Sequence, residues 1–461
     1  MLTRDKAADL FNRVKRYSSA DEVEVLCCGG KSALTRFANN IIHQNVAEEN
    51  YSLSVRTGFD GRTARATTNK LDEESLKRVV QASESLARVQ HPDPDLLPMP
   101  DAGEGARATR AFPSRYFAQT AALTPELRAD SVNRIVGVAN RHKLTTAGIF
   151  SSAEWVEGIF NSRGLTGWHT HTSSEVSITM LAGDSSGWQK ANYPDVSQQD
   201  PAGLAEIAAC KALDSASPRE LQPGKYTVIL EPAAVLDMVG FMFFEFGGLS
   251  ILDQRSFLNN RVAKQIFGPT INVWDDAAHP LQAGAWFDGE GIPRQRVHLV
   301  ENGVVKRLVY ARATAQKMRQ SEHADKVGPV MATGHGFSLP NEMGEAPINI
   351  VFGTPEDPKT VDQMVASTER GVLVTRLWYI REVDPYEKIL TGMTRDGTFY
   401  VESGKVRHGL LNFRFNESLL HMLSSVEAMG TPVRASGEES FDMVVPPMKV
   451  RDFNFTEVTK F

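Results

Sequence analysis

A chain of 461 residues, 41% hydrophobic and 23% charged, is long enough for two or three domains with full cores and has the balance of an ordinary globular protein. A net charge of -6, with 50 lysines and arginines spread along the chain, leaves no basic stripe, so nucleic acid and anionic membrane surfaces are not expected partners. Cys27, Cys28 and Cys210 form neither a disulfide framework nor a zinc spacing, no segment reaches the roughly 18 apolar residues of a membrane span, and Met1-Leu-Thr-Arg-Asp-Lys lacks a secretory core, so a cytoplasmic location is expected.

Residues 3–16, with Leu10, Phe11 and Val14 and a Thr3 cap, predict a helix, and the alternation Val23, Val25, Cys27 predicts a half-buried strand. Tyr51 to Gly58, the Asp60-Gly61 dipeptide and Arg62 onward predict a hairpin. A helix follows from Asp72 to Gln90, with Leu76, Val79, Val80, Leu86 and Ala87 on its inner face. From His91 to Pro113 the texture of Pro, Asp, Gly and Ala marks a linker or exposed loop. The cycle then repeats. Thr124-Pro125-Glu126 starts a helix, with Leu127, Ile135, Val136 and Ala139 inward, that ends near His142. Strands run from Thr145 to about Gln189, with turns at Asn161-Ser-Arg-Gly164 and Gly183-Asp184, and a helix covers Pro201 to Ala216. Two helix, sheet, helix cycles at an offset of roughly 120 residues predict an N-terminal region of two related halves.

The stretch from Lys225 to Gly248 stands apart. Tyr226 to Leu230 predicts a buried strand and Pro232 suits the first turn of a helix. That helix is apolar almost all round (Val235, Leu236, Val239, Phe241, Met242, Phe243, Phe244) and is expected to end at Gly247-Gly248, with Asp237 and Glu245 as its only acids. Beyond it, hairpins are expected at 296–310 and 398–404, and a last helix from Asn416, as cap, to Met429, stopped by Gly430. The expected fold class is α+β. An N-terminal α/β region, 1–220 with halves of about 1–100 and 115–220, precedes a β-rich C-terminal domain, 221–461, with a few helices.

The residues offer few chemical constellations. His169-Thr-His171 would put two imidazoles on one face of a strand, with no carboxylate closer in sequence than Glu175, and reads as a groove-lining strand. Asp275-Asp276-Ala-Ala-His279 reads as a turn-rich loop, and Glu322-His323 and Gly334-His335-Gly336 are weaker still. There is no nucleophile elbow, P-loop, dinucleotide fingerprint or His-Glu-x-x-His.

Four C-terminal segments add a resemblance: Arg376-Leu-Trp-Tyr-Ile-Arg381, Thr391-Gly-Met-Thr-Arg-Asp-Gly-Thr-Phe399, Glu402-Ser-Gly-Lys405 and Asn412-Phe-Arg-Phe-Asn-Glu-Ser418. Together they resemble the TldD/TldE family, also called PmbA and once described as modulators of DNA gyrase, and are closest to the TldE/PmbA branch. In the TldD branch the helix after the strand carries His-Glu-x-x-x-His, and a C-terminal cysteine completes a zinc-type site for peptide hydrolysis. Laid from Pro232 without gaps, those positions fall on Asp237, Met238 and Met242, and the cysteine segment aligns loosely with Ser436. A thioether is a poor ligand for such an ion, and Met238 cannot take a proton from metal-bound water. No histidine lies between His171 and His279, so no shift of the alignment restores the motif.

The resemblance thus implies a subunit with no catalytic, cofactor-binding or metal residues of its own. Its partner would be a TldD-type metallopeptidase subunit that holds the zinc, its substrates unfolded or leader peptides, and a homodimer remains open for the isolated chain. Two alternatives stand beside it: a self-sufficient metal-dependent peptidase with ligands relocated to Asp237, Asp253, His279 or His335, and a regulatory binding protein, for instance of a topoisomerase.

Overall fold

The structure, a computed structural model, describes residues 2–105 and 112–459. The loop expected at 91–113 therefore lies partly outside the described residues; its described part carries no helix or strand.

The chain is α+β. Six strands, β1 (Glu22–Ala38), β2 (Ile41–Phe59), β3 (Arg62–Thr68), β4 (Thr145–Asn161), β5 (Thr166–Leu181) and β6 (Ser186–Tyr193), form one antiparallel sheet in the order β3-β2-β1-β4-β5-β6. The two sequence cycles are its two halves, joined where β1 pairs with β4. Each half covers one face with its own helices: α1 (Arg4–Tyr17) and α2 (Glu73–Val89) on the first, α4 (Pro125–Arg141) and α5 (Pro201–Asp214) on the second, with the short α3 (Ala118–Ala121) preceding α4. Caps start these helices: the side chains of Thr3, Asp72, Thr124 and Asp200 each accept a main-chain N–H of the first turn. Asp60 and Gly61 turn β2 into β3 at φ of 43° and 74°. Leu86 and Leu127, expected inside, are exposed; Val132 and Val138 fill the face of α4 instead.

The C-terminal half holds two further sheets. One has the order β10-β9-β8-β11-β18-β17, from β8 (Val273–Asp275), β9 (Val297–Glu301), β10 (Val304–Val305), β11 (Ile350–Phe352), β17 (Val433–Ala435) and β18 (Met443–Val445). The other runs β12-β7-β19-β15-β13-β14, from β7 (Gly224–Leu230), β12 (Arg370–Asp384), β13 (Ile389–Glu402), β14 (Lys405–Gly409), β15 (Phe413–Ser418) and β19 (Met448–Val458), with β16 (Val426–Met429) added on β19. Because β12 also pairs with β13, five of these strands return on themselves as a barrel. Phe413, Phe415, Phe453 and Phe455 stack inside it, ring centroids 4.6 to 5.5 Å apart.

Three expectations are corrected here. The helix expected over 416–429 is only Leu419–Ser424, capped by Ser418: Asn416 and Glu417 belong to β15, paired with β13, and Val426–Met429 pairs with β19, so sheet pairing overrides the apolar spacing. The strand expected over 304–310 is two residues long, although Asn302 and Gly303 do make its turn. The helix after Pro232 does not run to Gly247. It is α6 (Pro232–Val239), tightening to a 3₁₀ segment over Gly240–Phe246, and Gly248 opens α7 (Gly248–Leu252) rather than closing the helix.

The Thr391–Phe399 run builds the joint between the first sheet and the barrel. Asp396 and Gly397 form a bulge opposite Thr375, at φ of 53° and 119°. The bulge aims Asp396 at Arg376, whose Nε donates to Oδ2 at 2.8 Å, and at Ser186 of β6, whose hydroxyl donates to Oδ1 at 2.6 Å. The Arg376 guanidinium lies between Trp188 and Trp378, 4.7 and 5.4 Å from the ring centroids. Both charges are buried. Asp396→Ala leaves the guanidinium without its carboxylate and is expected to cost about 3–5 kcal/mol, measured by denaturant unfolding; a loss below about 1 kcal/mol, the value of an exposed pair, would contradict this role.

Candidate functional site

Strand β7 delivers α6 into the core between the barrel and the second C-terminal sheet, where Met238 and Met242 are fully buried in one apolar cluster with Val235, Phe243 and Phe246. Asp237, on the same turn, is also fully buried. The 436–440 loop between β17 and β18 closes over it: the main-chain N–H groups of Glu438 and Glu439 donate to Asp237 Oδ1 at 3.3 and 3.1 Å. The fit is close. A Cβ on Gly437 would overlap that oxygen, and one on Gly240 would overlap the hydroxyl of Ser440. Ser436 is buried at the start of the loop. The structure therefore brings Asp237 and the Ser436 segment, distant in sequence, to one place.

Burial pushes the Asp237 carboxyl up to about 7; the two loop N–H groups and the more distant Arg376 oppose this, and Glu439 adds to it. Its Oδ2 is buried without a hydrogen-bond partner among the described residues. Glu245, the other acid of the stretch, accepts from Phe257 N at 2.7 Å and pairs with the buried Lys388, which also meets Glu382 at 2.5 Å. It is a core ion-pair member.

The family-type zinc ion does not fit the residues present at this place. Asp237 Oδ1 is turned toward loop N–H donors, Met238 and Met242 supply only buried thioethers, and no imidazole stands on α6. The relocated-ligand candidates have separate partners. Asp253 is on the surface with Arg255 at 2.9 Å, and His279 Nδ1 accepts from Leu281 N. His335 is buried, with Nε2 3.0 Å from Asp275 Oδ1 and Nδ1 3.0 Å from Thr333 Oγ1. Asp275 is not a loop residue as expected: it sits in β8, and its Oδ2 accepts from Ile348 and Asn349 N at 2.8 Å each. Burial pushes that carboxyl up, but His335, Arg294 and the Asn349 N–H outweigh it and hold it below its ordinary value. Among the described residues, no three His, Cys, Asp or Glu side chains are grouped to hold a metal ion.

The other polar concentration lies on the face of the first sheet turned away from its helices. His169 and His171 stack there at 5.4 Å. Glu157, directly across from His169 on β4, comes within 3.9 Å of His171. Sequence reasoning missed this carboxylate, yet counting outward from the Asn161–Gly164 turn sets Glu157 opposite His169. Burial lowers both imidazoles to about 4, helped by His171 and Arg115 at His169, where a main-chain hydrogen bond with Ala283 opposes it, and by Arg434 at His171, so both are neutral at pH 7. Nearby Lys190 of β6 donates to Gly437 O at 3.0 Å and lies 3.5 Å from both Glu175 and Glu438. Beside His169 a cavity of about 210 Å³ is lined by Ser114, Arg115, Tyr116, Trp168 and Trp286. A polar, aromatic groove of this kind can hydrogen-bond a main chain and hold a flat side chain.

The chain matches two family models, the PmbA/TldA metallopeptidase C-terminal domain over residues 223–457 and the PmbA/TldA metallopeptidase domain 1 over residues 23–87. It is 22% identical to the metalloprotease PmbA of Escherichia coli O157:H7, over 94% of this chain and 92% of that protein. A metalloprotease PmbA homolog of Haemophilus influenzae is 20% identical, over 87% and 85%. The crystal structure of TldE from Thermococcus kodakarensis superposes with a TM-score of 0.83 at 18% identity, covering 98% of this chain and all of that one, a likeness of fold. No helix among the described residues is long and apolar enough to cross a membrane.

Because the folded-state pKa of Asp237 lies above the ordinary value of about 3.9, the unfolded chain releases this proton first, and the group's contribution to stability is lost as pH rises from about 4 through about 7. Asp237→Asn removes that proton while keeping an acceptor for the loop. The melting temperature of the variant minus that of the parent is expected to rise between pH 4 and pH 7 and then level off; a difference independent of pH would contradict the assignment.

Proposed function

The chain belongs to the PmbA/TldD metallopeptidase family, and from that membership we propose that it is the subunit without a metal site in a two-component peptidase, working beside a TldD-type partner that holds the zinc. One observation carries the reading: at the family's metal-motif positions, Asp237 is committed to the 436–440 loop and Met238 and Met242 to the core. The element is kept for packing.

The groove supports a substrate class. Neutral His169 and His171, Glu157 and the surrounding arginines line a strand face beside an aromatic cavity, which suits unfolded or leader peptides held largely through their main chain. The relatives' names favour a second reading, a self-sufficient metallopeptidase. Elemental analysis of the purified chain separates the two. On the first reading it holds no stoichiometric zinc and cuts no unstructured peptide alone, and adding a TldD-type partner gives a stable complex that does. Zinc retained by the lone chain together with cleavage would establish the second.

A further inference from the structure

A row of charges crosses the first half of the first sheet on the face turned away from its helices. Register sets Glu24 of β1 beside Arg56 of β2, and Arg56 beside Arg65 of β3, while Val23, Val25 and Val55 point to the core under α1 and α2. Glu24 takes both arginines, Arg65 Nη2 at 2.5 Å and Arg56 Nη1 at 3.7 Å, and Arg65 Nε donates to Leu339 O of the C-terminal half at 2.7 Å. The 288–292 loop brings two buried carboxylates to this contact, Asp288 and Glu290. An added Cβ at Gly336 would stand 2.7 Å from Glu290 Oε1 and 3.3 Å from Asp288 Oδ2, so both flank one main-chain carbon. Their donors are unequal. Asp288 accepts three main-chain N–H groups, from Glu290 and Ile292 at 2.9 Å and from Gly336 at 2.8 Å. Glu290 accepts one, from Arg312 at 3.2 Å; the Arg312 guanidinium stays 3.8 Å away, its nitrogens taken at 2.9 to 3.1 Å by Glu104 and Pro98 O.

We propose that Glu290 holds a proton in the closed joint and that its ionisation loosens the contact between the first half of the sheet and the C-terminal half, a pH-sensitive latch. Two carboxylates buried side by side do not both ionise without a close positive partner. Three donors keep the charge on Asp288, so the proton goes to Glu290. Burial and Asp288 push the Glu290 carboxyl from 4.5 up to about 7, against the Arg312 N–H and the Arg312 and Arg56 guanidinium groups. Burial raises Asp288 too, opposed by Arg294 and its three main-chain donors. The other charged and titratable groups of the joint are engaged elsewhere: Arg56 on Glu24 and, through Nε, on Thr63 Oγ1; Glu345 on the main-chain N–H groups of Leu249 and Ala311; His335 on Asp275. Once Glu290 ionises, a second buried negative charge stands beside the first, and opening the loop to water relieves it. Because the folded value lies above the ordinary one, the joint is tightest below about pH 4.5 and loosens as pH rises through about 7. The joint uses no residue of the Asp237 clamp, so the proposal stands or falls apart from the metal question.

The test is hydrogen exchange of the full chain, read by mass spectrometry over peptides covering 288–292 and 336–341, with rates corrected for the intrinsic effect of pH. Asp237 also titrates near pH 7, so the readout is local opening rather than a melting temperature. Protection of both peptides in the parent is expected to fall roughly tenfold between pH 6 and pH 8. Glu290→Gln keeps an acceptor for Arg312 N without the titration, and its protection is expected to stay level over that range. Glu104→Gln frees the Arg312 guanidinium for Glu290, and its fall is expected to be complete at lower pH. Parent protection independent of pH, a Glu290→Gln profile that falls as the parent's does, or a Glu104→Gln profile that superposes on the parent's would each overturn the proposal. The parent and Glu104→Gln profiles decide it whether or not Glu290→Gln folds.

Discussion

Two main-chain N–H groups donating to one buried carboxylate oxygen hold the centre of this molecule together. Asp237 stands on the helix that follows the barrel strand β7, and the loop it grips connects β17 and β18 of the second C-terminal sheet. The same loop reaches the first sheet through Lys190, which donates to Gly437 O, and reaches β12 through Glu439, which accepts from Tyr379 N at 2.6 Å. All three sheets therefore meet at one clamp. Because a side chain on Gly437 or Gly240 would overlap its neighbours, the clamp has little room to open or to admit a further group.

That clamp also frames the functional account. A metal site joining a helix to a distant loop is a cross-link, and a carboxylate bonded to loop N–H groups is another. The second kind needs no deprotonated ligand set, and burying the acid raises its pKa to about 7 instead of activating water. Flanked by thioethers, it has no base and no open coordination position to offer. On the proposed reading the chain offers a surface: a groove of neutral imidazoles, arginines and aromatic rings on the first sheet, set against the C-terminal half by the Arg376–Asp396 joint.

Local chemistry makes much of the fold legible in the sequence. Caps at Thr3 and Thr124, the Asp60-Gly61 turn and the repeated helix, sheet, helix order are all set by local signals, and each appears in the structure where it was expected; the caps Asp72 and Asp200 were not read from the sequence. The failures are non-local. Residues 416–429 carry helical spacing, but β13 and β19 claim both ends as strands, and the helix at 232–247 breaks where Gly240 passes under Ser440. At the candidate site, the positions of Asp237, Met238 and Met242 came from the family resemblance, while the partners of Asp237 lie some 200 residues further along the chain, beyond any spacing rule. Glu157 beside the histidines was within reach of register counting; the Asp275–His335 pair was not, because it joins a strand to a distant glycine-flanked segment.

The helix and loop which would frame a metal site are locked on each other by Asp237. Anomalous diffraction at the zinc edge, from crystals of this chain grown with zinc, tests it most directly. No anomalous peak is expected between α6 and residues 436–440, with Asp237 Oδ1 still accepting from the main-chain N–H groups of Glu438 and Glu439. A peak bonded to Asp237 at the roughly 2.0–2.2 Å of a zinc–carboxylate contact would contradict it.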